Sequence, residues 1–467
     1  MSASGEHAGS YDALIIGAGL AGSASAILLA GAGWHVALVE KTRFPRRKVC
    51  GECLAASNLP LLHALGVGEA FEASAGPELM RVTLMRRRAS VTAALPPADH
   101  PRWTWGRALG RDRLDTLLVA RAAAAGARVL QPATLRAVSG GPGAWACEVR
   151  LADRADRADR ADRADRADRA DRADRADRAD RADRPARAGA LGVADAPAAT
   201  TLHARVLIDA HGSWESLPSE RLVAPRSRRG SDLLAFKGVF RDADHAPGTI
   251  GVLALDGGYG GTVLGDDGQT TVAGCVRRDR LDALRRASPG LRAGEAFEAW
   301  LRHECRGVAL TLDGAVRDGS WLASGPLRPG VRVGVRVGAG RTHGGAFRVG
   351  NAAGEAHPIL GEGMSMALQS ATLLSAQLLG CDARAGADAS LIAQRRYADE
   401  WRREFQARLR LAATFAHVAM RPRASGLMMS LARTWPGLLT QGARRGGKVR
   451  LAVDPATLAP TSLRTRA

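Results

Sequence analysis

YDALIIGAGLAG, Tyr11 to Gly22, is an apolar run that stops in G-x-G-x-x-G. An apolar run of this length, ended by glycine, predicts a buried strand that turns sharply into a helix. Each glycine has a separate task in such a turn. Gly17 permits the tight bend, Gly19 lets the backbone approach a pyrophosphate, and Gly22 lets helix and strand pack closely. The helix then aims its N-terminal amides and positive dipole end at the phosphates. Glu40 ends the next predicted strand, 23 residues after Gly17. A carboxylate there can accept both ribose hydroxyls and disfavours a 2′-phosphate. The pattern predicts a βαβ unit for a dinucleotide other than NADP; a glycine-rich turn without ligand is the weaker alternative. Ala13 to Val39 is apolar enough to mimic a membrane span, but Gly31 and Gly33 add to the three earlier glycines. Strand, turn, helix, turn, strand fits that spacing better than a lipid-facing helix.

Outward from this unit, 467 residues leave room for two domains or one large domain with an appendage. The formal net charge is +19, carried by 62 arginines and only four lysines. The arginines are scattered and not interleaved with aromatics, so no nucleic-acid partner is expected. Weak peripheral attraction to an anionic membrane fits the charge better. Cys50 and Cys53 form a C-x-x-C with no second pair, which predicts no metal site and favours two small buried thiols over a redox pair. No signal peptide opens the sequence, and a cytoplasmic location is expected.

Ala152 to Arg184 is Ala-Asp-Arg repeated eleven times. It balances its charges and has no apolar side chain beyond alanine, so it cannot build a core. WACEVRL before it and TTLHARVLIDAHG after it both begin as strands. The tract therefore reads as a low-complexity insertion at a hairpin tip, where long loops cost little. Helices are predicted over Leu20–Ala32, Asp112–Ala125 and Met364–Leu379. Strands are predicted over Asp12–Ile16, His35–Glu40, Arg128–Gln131, Arg205–Asp209 and Phe347–Gly350. Glycine-broken apolar runs from Ser231 to Val276 predict an antiparallel sheet. Tyr397, Trp401, Phe405, Leu409, Ala412 and Phe415 recur at helical spacing and predict an amphipathic helix that packs on the body of the protein.

Four further pieces follow in order: VEKTRFPRRKVCGECLAASNLPLLHALGV (Val39–Val67), RDRLD (Arg111–Asp115), VLIDAHGSWES (Val206–Ser216) and GNAAGEAHPILGEGMSMALQSA (Gly350–Ala371). Together with the first stretch they resemble the FAD-dependent superfamily of aromatic hydroxylases, geranylgeranyl reductases and flavin-dependent halogenases. The resemblance implies FAD as cofactor. Gly17, Gly19, Gly22 and Glu40 would hold its ADP part, Arg46 and Lys48 would lie beside the Cys50–Gly51 turn near the cofactor, and Arg111 would face its phosphate–ribityl region. A surface ion pair with Asp115 is the alternative for Arg111. Asn351 stands where the family often has aspartate and can still bond a ribityl hydroxyl. His211 also replaces a frequent aspartate. Pro358 would fix a turn beside the ring, while Gly361 and Gly363 would turn backbone amides to its pyrimidine edge, backed by the dipole of the helix that follows. His357 and His211 are the histidines the motifs bring near the ring.

The expected fold class is α/β, with a Rossmann-like FAD-binding domain from residues 1–80, 107–215 and 326–385, the 152–184 insertion included. An interleaved antiparallel-sheet substrate domain would comprise 81–106 and 216–325, and a C-terminal helical region 386–467. Phe236, Phe240, Leu253, Leu255 and Tyr259 suggest an apolar or aromatic small-molecule substrate. The resemblance implies monooxygenation through a flavin C4a-hydroperoxide, with NAD(P)H as a transient reductant. The rivals are an alkene reductase like the geranylgeranyl reductases and a non-catalytic flavoprotein. Halogenation is not expected, because no lysine follows Gly51–Glu52 until Lys237, which reads as a lysine reaching solvent from a sheet edge, with a place in the substrate cavity as the alternative.

Overall fold

The structure, a computed structural model, describes residues 9–151, 199–213, 217–218, 227–334 and 345–448. The Ala-Asp-Arg tract lies outside the described residues. The chain opens with β1 (Ser10–Ile16), α1 (Leu20–Gly31) and β2 (Val36–Val39). A hairpin, β3 (Arg81–Arg86) and β4 (Ala89–Ala94), precedes α2 (Arg111–Ala124). Next come β5 (Arg128–Leu130), β6 (Ala133–Gly141), β7 (Ala144–Leu151) and β8 (Ala199–Asp209). Then follow β9 (Leu233–Arg241), β10 (Thr249–Leu255), β11 (Gly258–Leu264), β12 (Thr270–Arg277) and α3 (Ala293–Glu304). The last part runs β13 (Phe347–Arg348), α4 (Gly363–Gly380), α5 (Ala387–Ala419), α6 (Pro422–Thr434) and α7 (Gly437–Ala443).

The first sheet has the order β5-β2-β1-β8-β7-β6, with β13 also on β8. β5, β2, β1, β8 and β13 are parallel, which follows from helical crossovers covering the sheet. β7 and β8 pair antiparallel, Arg150 opposite Ala199. The strands flanking the insertion are thus the two arms of one hairpin. α1 carries Ala21, Ala24 and Ala26 among its buried residues, and α4 packs against it. Small side chains on α1 allow that close approach. The predicted helices and strands of this part all form, with ends displaced by at most two residues except in β8, which begins six residues before the predicted Arg205.

The second sheet runs β9-β12-β11-β10-β3-β4. β9 to β12 are antiparallel neighbours, and β3 joins β10 in parallel. One face packs on α3, with Phe236 stacked on Phe297 at 4.8 Å and Phe240 edge-on to Trp321. The other face meets α5, α6 and the turn that carries Glu52. α5 ties the two units together. Its apolar stripe buries Tyr397, Trp401, Phe405 and Leu409 in the first core, then Ala416 and Ala419 in the second. Trp401 and Phe405 are fully buried, and truncating either to alanine would cost about 3–5 kcal/mol. Phe415 departs from the predicted stripe: it is half-buried and lines a cavity.

Candidate FAD site

The register of the parallel strands brings the two glycine-rich stretches together. Ile16 pairs with Asp209, and Asp209 with Arg348. The chain therefore leaves β1 and β13 at the same C-terminal sheet edge, one strand apart, where ligands bind in open α/β sheets. Gly17 has φ +105°, and a β-carbon there would stand 2.7 Å from the Ala210 carbonyl oxygen. A β-carbon at Gly22 would stand 1.8 Å from the Gly17 oxygen. Gly19 is different: a β-carbon would meet nothing nearer than an Arg111 guanidinium nitrogen at 3.9 Å. No side chain caps the N-terminus of α1, so its first amides stay available to an anion.

Glu40 is buried behind this turn. Its Oε2 accepts the Ala18 N–H at 3.0 Å, and its Oε1 accepts the Thr42 N–H and hydroxyl at 2.9 and 2.7 Å. Burial works to raise its pKa, but Arg46 and these hydrogen bonds together hold it below the usual carboxylate range. Arg46 reaches Glu40 at 3.4 Å and stacks on Phe44. It thus sits at the expected adenosine end and is not among the residues lining the cavity. Lys48 does line it, with Nζ over Gly212. Burial, with Arg111 and Arg46 nearby, pushes its ammonium down to about 8.

Arg111 forms its ion pair with Asp115, two bonds of 2.8 Å, but not at the surface. Both residues are buried, and the guanidinium lines the cavity beside Gly19. Burial opposes its charge, and Asp115 more than offsets that, holding its pKa above the ordinary value.

In the second stretch, Gly350 turns at φ +60° against Ala21 of α1. Asn351 Nδ2 donates to Ser213 at 2.7 Å. Its Oδ1 has no hydrogen bond among the described residues. His211 is clamped by Asp209, which accepts its backbone N–H at 3.1 Å and contacts Nδ1 at 2.7 Å. Pro358 opens a single 3₁₀ turn, Gly361 closes it at φ +66°, and Gly363 begins α4 with nothing within 4 Å of a β-carbon. Pro358, Gly361, Gly363, Asn351 and His211 line the same cavity of about 330 Å³ as Gly19, Lys48 and Arg111. His357 is buried next to it, 3.2 Å from the Tyr259 hydroxyl through Nδ1 and edge-on to the ring of exposed His417. Burial and His417 push its pKa down to about 4. Burial pushes the Tyr259 phenol well above its usual value.

Three sequence expectations need correction. Lys237 does not reach solvent: it is 2% exposed and ion-paired to Glu52. Lys237 alternates with Phe236 along β9, so it points to the opposite face from Phe236, where Glu52 lies. Of the five apolar residues singled out, only Phe236 and Tyr259 line the cavity. Phe240, Leu253 and Leu255 join the core under α3, and Ile250, Val252 and Leu84 form the cavity wall instead. Cys50 and Cys53 form no disulfide, are half-buried rather than buried, and both line the cavity.

Glu52 is the residue sequence reasoning missed. It has φ +60° and is buried. Its Oε1 accepts the Arg111 backbone N–H at 2.8 Å as well as Lys237, and Oε2 accepts the Thr271 hydroxyl at 2.6 Å. One carboxylate thus ties the Cys50–Cys53 turn, the start of α2 and the second sheet. Its place in a CGE turn was visible; its partners, remote in sequence, were not.

The residues fit FAD on three counts. Space stands open over Gly19 and Gly363, two uncapped helix N-termini flank one cavity, and Glu40 stands at the ribose position behind the first. The family model described as FAD binding domain matches residues 10–162. A tryptophan 2-halogenase of Chondromyces crocatus is 50% identical over 60 residues, and a menaquinone reductase of Mycobacterium tuberculosis is 43% identical over 60. Those segments cover 13% of this chain and only 11% and 15% of the two proteins. Whole-chain likeness is to solved structures of low identity. The myxobacterial chondrochloren halogenase CndH has a TM-score of 0.65 at 18% identity, covering 94% of this chain and 91% of that one. PqsL of P. aeruginosa, in complex with 2-aminobenzoylacetate, scores 0.60 at 16%, covering 89% and 98%. A geranylgeranyl bacteriochlorophyll reductase-like protein of Thermoplasma acidophilum scores 0.57 at 17%, covering 96% and 95%. Residues 10–162 thus match an FAD binding domain, and the whole chain shares its fold with CndH, PqsL and the reductase-like protein.

Proposed function

We propose that this protein is an FAD-dependent monooxygenase of an apolar or aromatic small molecule. The observation that carries the reading is the wall of the cavity. Leu84, Ile250, Val252, Phe415 and Met428 line it together with the Pro358–Gly363 turn. Bound FAD supplies electrons and dioxygen activation, with one oxygen atom entering the substrate and the other leaving as water. The chain supplies the surroundings. The first amides of α4 stabilise negative charge at the cofactor's edge. Pro358 and the apolar wall exclude water. Tyr259 and His357 are placed to hold a proton between the phenol oxygen and Nδ1 at the cavity's side. With its pKa near 4, His357 is neutral at pH 7 and available as an acceptor. NAD(P)H is the proposed transient reductant. PqsL, crystallised with an aromatic acid on the same fold, supports an aromatic substrate.

An alkene reductase is the second reading, favoured by the segment shared with the menaquinone reductase. Halide transfer is not proposed, since the first lysine after Gly51–Glu52 is buried in the ion pair with Glu52. Turnover under labelled dioxygen separates the two remaining readings. Label in the product is expected; an unlabelled product that gains two hydrogens without oxygen would replace this proposal with the reductase.

A further inference from the structure

α6 and α7 present an apolar strip to solvent. Leu427, Leu431, Trp435 and Leu438 are 63%, 50%, 70% and 41% exposed. Their spacing of four, four and three residues sets the first three on one side of α6 and carries the strip around the Pro436 corner into α7. The opposite side of α6 is fixed: Met429 and Ala432 are buried in the second core, and Arg86 bonds Ser425 at 2.9 Å and the Pro422 carbonyl at 2.8 Å. An isolated exposed leucine needs no explanation, but three leucines and a tryptophan in one strip do.

Charge narrows what covers the strip. Between Glu404 and Asp454 the sequence has nine basic residues and no acidic one. Arg421, Arg423, Arg433, Arg444 and Arg445 are exposed around the strip. A cationic rim about leucines and a tryptophan suits the headgroup–acyl boundary of an anionic bilayer. The same corner also borders the site, because Met428, Leu438 and Leu439 line the cavity. We infer that the α6–α7 face docks on an anionic membrane surface and turns the cavity toward the lipid, so that an apolar substrate enters without crossing water. No described helix is long and apolar enough to cross a membrane, and the docking is peripheral.

The inference stands apart from the reaction proposed above; an oxygen-labelling result of either kind leaves it untouched. The test is sedimentation of the full-length, FAD-loaded protein with vesicles of phosphatidylcholine alone or mixed with phosphatidylglycerol. Binding to the mixed vesicles is expected to be at least about tenfold tighter and to fall as salt is added. The double variant Leu431→Ser/Trp435→Ser should lose about tenfold or more in binding, and Arg423→Gln/Arg433→Gln should lose the preference for phosphatidylglycerol. Both should keep the flavin content of the parent. Equal binding to the two vesicle types, no binding, or binding unchanged in folded variants would overturn the inference. So would a concentration-dependent dimer in sedimentation velocity that the Leu431→Ser/Trp435→Ser variant abolishes, which would assign the face to a second copy.

Discussion

The two glycine-rich stretches each divide their glycines between two uses. In the first, Gly17 and Gly22 are required by the protein's own backbone: β-carbons there would run into the Ala210 and Gly17 carbonyl oxygens. Only Gly19 faces open space. In the second, Gly363 has nothing near it at all, and Gly350 is pressed against α1 by a side-chain contact with Ala21. The first is a scaffold that leaves one opening. The second is closed at Gly350 and Gly354, where β-carbons would meet Ala21 and Trp401, and open at Gly363. A glycine-rich pattern alone does not say which kind it is; the neighbours of each missing side chain do.

The largest effect should follow from filling the scaffold. Gly22→Ala forces the Gly17 carbonyl to move, and unfolding by urea should show a loss of more than about 3 kcal/mol. A variant of parental stability would break the comparison at its first term. The link between the two regions runs through Glu52, which holds the start of α2 and faces the cavity. Lys237→Met leaves that carboxylate buried without its cation, and a loss of about 3–5 kcal/mol is expected. Glu52→Gln added to it should restore part of the loss.

Titration sharpens the contrast. Glu40, behind the first stretch, is held below its usual range, so its contribution is present above the unfolded-state value and lost as pH falls through the depressed one. His357, beside the second, is pushed down to about 4. The unfolded chain therefore binds a proton that the folded one refuses between about 6.5 and 4. Stability from this group is complete above that window and declines as pH drops through it, at up to about 1.4 kcal/mol per pH unit. His357→Asn should flatten the slope of urea-derived stability over that window; an unchanged slope would show that His357 is not the group responsible. The smallest effect belongs to Gly363→Ala. With open space around it, stability should change by less than about 1 kcal/mol, while FAD affinity measured by fluorescence titration falls.

Much of this is legible in the sequence. Periodicity found β1, α1, β2 and α5, and the strands on either side of the Ala-Asp-Arg tract do pair as a hairpin. Sheet faces were not legible. Apolarity picked Phe240, Leu253 and Leu255, yet alternation along each strand turns them to α3. The same alternation brings Lys237 inward, onto a glutamate 185 residues away in sequence. Arg46 and Arg111 were visible as basic residues at the right motifs. Which carboxylate each one meets, and how deeply, depends on the direction of long side chains and on packing that spacing does not encode.

The central claim is that both stretches hold one FAD, and Gly19→Val tests it most directly. Gly19 has extended backbone, φ −73° and ψ −174°, which valine adopts readily, and the nearest atom to a new β-carbon is a side-chain nitrogen at 3.9 Å. The protein should fold with near-parental stability in its flavin-free form, while absorbance of the purified variant shows little or no FAD against one equivalent in the parent. Full flavin content in Gly19→Val would contradict the account.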